Sequence, residues 1–157
     1  VLGLANEAAV HEGWRRLTDN LAANAPGLAI DGVLVEKMAP AGVELIIGAR
    51  NDPQWGGIVL FGLGGVFAEV FKDIALLPAR CTHEQVIEAL NGLKGARLLH
   101  GYRGAPGRDL DAIADAVCRL GDFISAHPEV AEVEINPLVV YPRGDGARAL
   151  DALISVN

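Results

Sequence analysis

The stretch Val43-Glu44-Leu45-Ile46-Ile47-Gly48-Ala49-Arg50, then Asn51-Asp52-Pro53-Gln54-Trp55-Gly56, then Gly57-Ile58-Val59-Leu60-Phe61, decides the fold class. Both flanks are rich in aliphatic and β-branched residues, and the six positions between them have turn chemistry throughout, so the whole reads as a β-hairpin. A segment of similar character, residues 32–38, precedes the hairpin, and Gly62-Leu63-Gly64-Gly65 breaks the strand that ends it. Residues 66–77 then resume an extended pattern around Glu69, Lys72 and Asp73. Strand-like segments each bounded by Pro or Gly predict an antiparallel meander.

Helical periodicity lies on either side. After Asn6, a candidate N-cap, Val10, Trp14, Leu17 and Leu21 recur at helical spacing, ending near Ala25-Pro26-Gly27. Thr82-His83-Glu84-Gln85 is a capping box opening a helix that buries Val86, Ile87, Leu90 and Leu93. Asp109 caps a longer helix with Leu110, Ile113, Val117, Leu120 and Ile124 on one stripe. Between these two helices runs the glycine-rich loop 101–107, and strands near 131–136 and 147–154 close the chain. Helices flank a largely antiparallel sheet with no regular βαβ alternation, so the class is α+β.

The 157 residues, 51% of them hydrophobic, suffice for one domain with a substantial core. A formal charge of −7, with lysine only at positions 37, 72 and 94, argues against a nucleic-acid surface. Cys81 and Cys118 lack metal-ligand spacing and read as reduced structural thiols. No apolar run approaches a membrane span, and no secretory leader is visible, so the expectation is a soluble, cytoplasmic protein. The chain starts at Val1 and its one methionine is Met38, which suggests a cleaved chain or a piece of something longer.

In Glu132-Val133-Glu134-Ile135-Asn136-Pro137-Leu138, side chains two apart share a face, so Glu134 and Asn136 project together while Val133 and Ile135 face the core. If the following hairpin is centred on Arg143-Gly144, Asn136 lies opposite Asp151, a carboxylate in an otherwise apolar run. Carboxylate and amide oxygens converging without His or Cys suit a hard cation such as Mg²⁺, which fills its other positions with water and nucleotide phosphates. Such a metal neutralises charge on the β- and γ-phosphates during transfer. The spacing equally admits a structural reading in which Glu134 is solvated, Asn136 caps a turn before Pro137, and Asp151 pairs with an arginine.

Five blocks carry a resemblance: Val33-Leu34-Val35-Glu36-Lys37-Met38, Gly42-Val43-Glu44-Leu45-Ile46-Ile47-Gly48, Asp52-Pro53-Gln54-Trp55-Gly56, Phe61-Gly62-Leu63-Gly64-Gly65 and Glu134-Ile135-Asn136-Pro137-Leu138. In this order they resemble the ATP-grasp β region of ADP-forming acetyl-CoA synthetases, over essentially the whole chain. Succinyl-CoA synthetase β subunits are more distantly similar. The resemblance implies that residues 1–157 are the C-terminal portion of an ATP-grasp domain, with the remainder of its N-terminal lobe preceding Val1.

The resemblance also implies roles. Asn136 and Asp151 correspond to magnesium ligands and Glu134 to a third acidic residue beside the metal. Glu36, Lys37 and Met38 correspond to a hinge strand whose backbone meets the adenine edge, with the Glu36 or Lys37 side chain assisting. Glu44 corresponds to a residue near the ribose and triphosphate; on pattern it is a site residue or the edge of a sheet face. The glycines that include Gly64 and Gly65 either let backbone N–H groups approach phosphate or make a tight turn. Lys72 faces nucleotide phosphate or forms a surface ion pair. Arg103 binds a phosphate or acyl-phosphate oxygen or structures its loop. Among the histidines, only His100 stands beside the glycine loop; His11, His83 and His127 read as solvated helix positions.

Enzymes of this family interconvert acyl-CoA, ADP and phosphate with free acid, CoA and ATP through a phosphohistidine. Neither a CoA-binding Rossmann-like domain nor that histidine is recognisable here. The expectation is therefore an ATP/ADP and Mg²⁺ site that works with a CoA-binding domain or subunit, meets acyl-CoA through that partner, and touches neither nucleic acid nor membrane. The rival readings are a synthetase-like regulatory domain of a protein lysine acetyltransferase that has lost synthetase chemistry, and a non-catalytic interaction module. Retention of Glu134, Asn136 and Asp151 favours a working nucleotide site.

Overall fold

The computed structural model describes residues 1–65 and 70–157, which form two compact units, Val1–Pro40 and Ala41–Asn157. In the first unit, helix α1 (Glu7–Asn24) starts where Asn6 accepts a hydrogen bond from the Ala9 N–H at 3.0 Å. It stops where the Ala25 N–H closes on the Leu21 carbonyl. Val10, Trp14 and Leu17 of α1 line one groove together with residues 33–38. Residues 32–38, expected as a strand, are not one: no ladder hydrogen bond joins them to another segment among the described residues. Their aliphatic composition favours a pleated backbone, but a strand exists only where a neighbour supplies its N–H and C=O partners.

The second unit is a six-stranded antiparallel sheet with helices on one face. Strand β1 (Val43–Asp52) pairs with β2 (Gly56–Leu63), which pairs with β3 (Ile74–Pro78). On its other side β1 pairs with β4 (Val130–Val140), and β5 (Ala147–Ala149) and β6 (Ala152–Val156) follow one another along the far edge of β4. The β1–β2 turn forms because Asp52 Oδ1 accepts from the N–H groups of Gln54 and Trp55 at 2.9 and 3.0 Å. Those two bonds hold the Asp52 carboxyl below its ordinary pKa.

Pleating sorts the side chains. Leu45, Ile47 and Ala49 of β1, Val59, Phe61 and Leu63 of β2, and Val133 and Leu138 of β4 point into the helical layer and are buried. That layer consists of α2 (His83–Asn91), the short α3 (Arg97–His100) and α4 (Leu110–Ala126). Helix α4 contributes Ile113, Val117 and Ile124, all essentially without exposure, so its predicted stripe is the one that packs on the sheet. Each such aliphatic or aromatic side chain contributes about 1.5–3 kcal/mol by leaving water. Gly121 is required at the closest approach: a Cβ there would overlap the Ala79 carbonyl oxygen.

The expected capping box at Thr82 and Gln85 is present, and Asp109 caps α4. Residues 66–77 were expected to be extended. Those at 66–69 lie outside the described residues, Val70 and Phe71 are helical, and the strand begins only at Ile74. The extended pattern gives way because the Asp73 side chain is committed elsewhere. It is 4% exposed and accepts from the Lys94 and Gly95 N–H groups, each at 2.8 Å. Cys81 is half-buried, with its thiol pushed up to about 11 by burial and then by neighbouring Cys118, whose Sγ lies 3.7 Å from the Cys81 carbonyl oxygen. No helix among the described residues is long and apolar enough to cross a membrane.

Asp109 ties the second unit together. Oδ1 accepts from Ala112 N–H at 3.2 Å, and Oδ2 accepts from Gly144 and Gly146 N–H at 2.9 and 3.0 Å, so one carboxylate caps α4 and closes the β4–β5 turn. Burial opposes its ionisation, but the backbone donors and Arg143 outweigh that and hold its pKa below the ordinary 3.8. A depressed carboxylate stabilises the fold above its unfolded pKa and stops doing so as pH falls through the folded value. Asp109→Asn is expected to cost about 1–3 kcal/mol at pH 7. The difference between wild type and variant should shrink below about pH 4. Urea denaturation at both pH values measures this, and a pH-independent difference contradicts it. Gly121→Ala should cost about 1–3 kcal/mol at any pH, because backbone rather than a flexible side chain must yield.

Candidate nucleotide and metal site

The helices cover one face of the sheet; the other carries a different set of residues. Ile46, Gly48 and Arg50 of β1, Ile58 and Leu60 of β2, Leu76 of β3, and Glu132 and Glu134 of β4 border a concavity of about 500 Å³ there. The register sets Gly48 against Glu134 and Arg50 against Glu132. Its floor is aliphatic and one edge is acidic. Arg50 is committed to Asp52 by an ion pair at 2.9 Å.

The register of β4 positions the acidic trio. Leu45 pairs with Leu138 but Ile47 pairs with Ile135, so Asn136 and Pro137 together stand against Ile46. This two-against-one irregularity lets Leu138 return to the core after Asn136 has faced away. Asn136 Nδ2 donates to Glu134 Oε1 at 3.1 Å, so the two side chains share a face as the pleat requires. On the other edge of β4 the hairpin is centred where the spacing expects it. Asn136 N–H donates to the Asp151 carbonyl at 3.2 Å, and Leu150 N–H donates to the Pro137 carbonyl at 3.0 Å. Asp151 is therefore the cross-strand neighbour of Asn136. Its Oδ1 accepts from the Ala152 N–H at 2.8 Å.

Among the described residues, Glu134 Oε2, Asn136 Oδ1 and Asp151 Oδ2 accept no hydrogen bond. Each residue thus offers one uncommitted oxygen. No group of three or more His, Cys, Asp or Glu side chains among the described residues is arranged to hold a metal. The trio itself supplies two carboxylates and one amide. Oxygen donors of mixed charge with open sites between them match a hard divalent cation that keeps water or phosphate in its shell, and not zinc.

The remaining expected residues fall in several places. Glu44 is exposed on β1, two residues before Ile46 on the same face, and its carbonyl accepts from the Gly64 N–H at 2.8 Å. Gly64 is buried so tightly against the Glu44 carbonyl that its N–H is consumed there, whereas Gly65, at φ +59°, is exposed. Glu36, Lys37 and Met38 are exposed in the first unit. Lys72 and Arg103 are exposed, and among the described residues neither bonds to the trio. They share one property: at φ +46° and +51° they are the two non-glycine residues with positive φ among those described. Such backbone costs roughly 1–2 kcal/mol per residue and clusters at working sites. Arg103 also sits over the Tyr102 ring at 5.2 Å. His100 bonds Asn91 Oδ1 through Nε2 at 2.7 Å.

Sequence reasoning missed three polar anchors: the second half of the Asp109 network, the capture of the Lys94 turn by Asp73, and Asn51. Asn51 reads as a turn residue but is on β1, and its Nδ2 reaches the carbonyls of Ile124, His127 and Val130 at 3.3, 3.2 and 2.9 Å. It thereby satisfies the exposed carbonyl end of α4. All three partners are distant in sequence, so no local spacing signals them.

The chain belongs to the ATP-grasp domain family, whose model matches residues 1–156. Among characterised relatives it is 42% identical to a trans-feruloyl-CoA synthase of an unknown prokaryotic organism, over all 157 residues and 22% of that protein. It is 34% identical to the β subunit of ADP-forming acetate–CoA ligase I of Pyrococcus furiosus, over 96% of this chain and 64% of that one. Among solved structures, the dinucleotide-forming acetyl-coenzyme A synthetase 1 of Ca. Korarchaeum cryptofilum, in complex with coenzyme A, Ca-AMPCP and HgCl⁺, superposes with a TM-score of 0.87. That match has 38% identity and covers all of this chain and 68% of that chain. The same enzyme with coenzyme A and Mg-AMPPCP, its phosphohistidine segment pointing towards the nucleotide binding site, superposes with a TM-score of 0.83 at 36% identity, over all of this chain and 67% of that one. The chain spans between a fifth and about two thirds of the length of these proteins.

Because Glu134, Asn136 and Asp151 carry no core packing, Glu134→Gln, Asn136→Ala and Asp151→Asn should each leave stability within about 0.5 kcal/mol of wild type in urea. Lys72→Gly and Arg103→Gly should be neutral or stabilising by up to about 1 kcal/mol, since glycine relieves the positive φ. A loss above that range identifies a structural role instead.

Proposed function

We propose that this chain is the nucleotide- and Mg²⁺-binding part of an ADP-forming acyl-CoA synthetase, an acid–thiol ligase that interconverts acyl-CoA, ADP and phosphate with acid, CoA and ATP. The observation that carries the reading is the grouping of Glu134, Asn136 and Asp151 by strand register, in a chain whose relatives are CoA ligases. The reading makes residues 1–157 the C-terminal portion of an ATP-grasp domain. Acyl-CoA and the phosphohistidine belong to a CoA-binding domain or subunit, and the work is cytoplasmic.

In this reading Glu134, Asn136 and Asp151 would hold the metal, which would supply charge neutralisation at the phosphates of ATP or ADP. Asn136 is oriented by Glu134, which turns the amide oxygen outward. Glu44 and the aliphatic floor at Ile46, Ile58 and Leu60 accept the nucleoside side, with Gly65 leaving room for backbone approach to phosphate. Lys72 and Arg103, held on strained backbone, present cationic groups to the phosphoryl oxygens, which Arg matches as a fork and Lys as a point charge.

The test uses the full synthetase that contains this chain. Asp151→Ala is expected to weaken Mg-dependent AMPPCP binding about 10- to 100-fold, as loss of a ligand or its support typically does, with CoA affinity unchanged. Mn²⁺ should broaden the Asn136 side-chain amide resonances in wild type and not in the variant. The isolated chain should bind Mg-ATP weakly, because one face of the nucleotide remains in water. Tight nucleotide binding that survives Asp151→Ala would overturn the assignment of the metal site.

A further inference from the structure

A cleft of the second unit lies in the helical layer, on the opposite side of the sheet from Glu134 and Asn136. It has a volume of about 920 Å³ and runs between α2, the first turn of α4, the end of the glycine-rich loop and the β4–β5 turn. Its chemistry is divided. The loop and turn contribute Arg108 and Arg143; the helices contribute Glu84, Glu88 and Asp111, together with His100 and with His83, whose Nε2 lies 3.7 Å from Asp111 Oδ1.

Arg108 is the unusual member. Its backbone is fixed on both sides, by donation of its N–H to the Leu99 carbonyl at 2.7 Å and by a β-bridge to Pro142. Its Nε is buried and has no hydrogen-bond partner among the described residues, although three carboxylates line the same cleft. A buried guanidinium donor left unmatched costs about 1–3 kcal/mol, and native proteins rarely retain one without an anion to meet it. A rigid backbone and a planar donor fork on the wall of a cleft are parts of an oxyanion receptor. The Glu84, Glu88 and Asp111 carboxylates repel a ligand that is anionic throughout and attract one whose other end is cationic.

We propose that this cleft is a second ligand site, taking a small zwitterionic molecule whose phosphate or carboxylate seats on Arg108 and whose ammonium end faces Glu84, Glu88 and Asp111. The site is independent of the nucleotide reading, because no residue of the trio lines it.

Titration of the full protein that contains this chain, followed by NMR at the Arg108 Nε–H and the Leu99 and Gly107 amides, tests the proposal with four probes: inorganic phosphate, phosphoethanolamine, acetate and β-alanine. Phosphoethanolamine or β-alanine should shift these resonances at several-fold lower concentration than the corresponding simple anion. Glu88→Gln should narrow that advantage, Arg108→Gln should remove the response, and Asp151→Ala should leave it intact. The better of the two zwitterions identifies the oxyanion. Should Arg108→Gln fail to fold, the wild-type Arg108 Nε–H response decides alone. Absence of any shift at millimolar probe, or shifts confined to the uncovered sheet face and abolished by Asp151→Ala, overturns the proposal.

Discussion

Strand β4 is hydrogen-bonded on both edges, to β1 on one side and to β5 and β6 on the other, and this double pairing constrains everything else in the second unit. A strand whose two edges are committed cannot slip by one residue without exchanging core and solvent faces along its whole length. Toward β5 and β6 the register runs unbroken through Asn136 and Pro137, whereas toward β1 those two residues share one partner, Ile46. The mismatch is what allows Leu138 into the core while Glu134 and Asn136 remain together on the opposite face.

Three polar side chains then convert a sheet and three helices into one unit. Asp109 joins the start of α4 to the β4–β5 turn, Asn51 joins β1 to the end of α4, and Asp73 joins the approach to β3 to the turn after α2. Each satisfies backbone groups that helix or turn geometry leaves unpaired. Against the opposing effect of burial, the backbone N–H donors and Arg143 hold the Asp109 carboxyl below its ordinary pKa, so that junction is firm at neutral pH and weakens in acid.

The two sheet faces divide the chemistry between them. The helical layer supplies cohesion, and the face it leaves open supplies an aliphatic floor, an acidic edge and, by the proposal above, the metal. A floor of Ile58, Leu60 and Leu76 on the face away from the second unit's helices is more apolar than a solvent face needs to be, in keeping with relatives that are longer than this chain. Lys72 and Arg103 make no bond to the trio among the described residues and are held at positive φ.

Local physics in the sequence determined the helices with their caps at Asn6, Thr82 and Asp109, the β1–β2 hairpin, and the shared face of Glu134 and Asn136. These depend on neighbours within a few residues and on the period of two or 3.6. The hairpin arithmetic that set Asp151 against Asn136 was also legible, since an antiparallel register follows from its turn. Tertiary structure decided the rest. Residues 32–38 have strand composition but no strand, because ladder partners are not a local property. Residues 70–73 leave the extended pattern because Asp73 is captured by Lys94 and Gly95 about twenty residues away. The unmatched Arg108 in its cleft arises from which loops the sheet brings near one another, and no spacing along the chain encodes that.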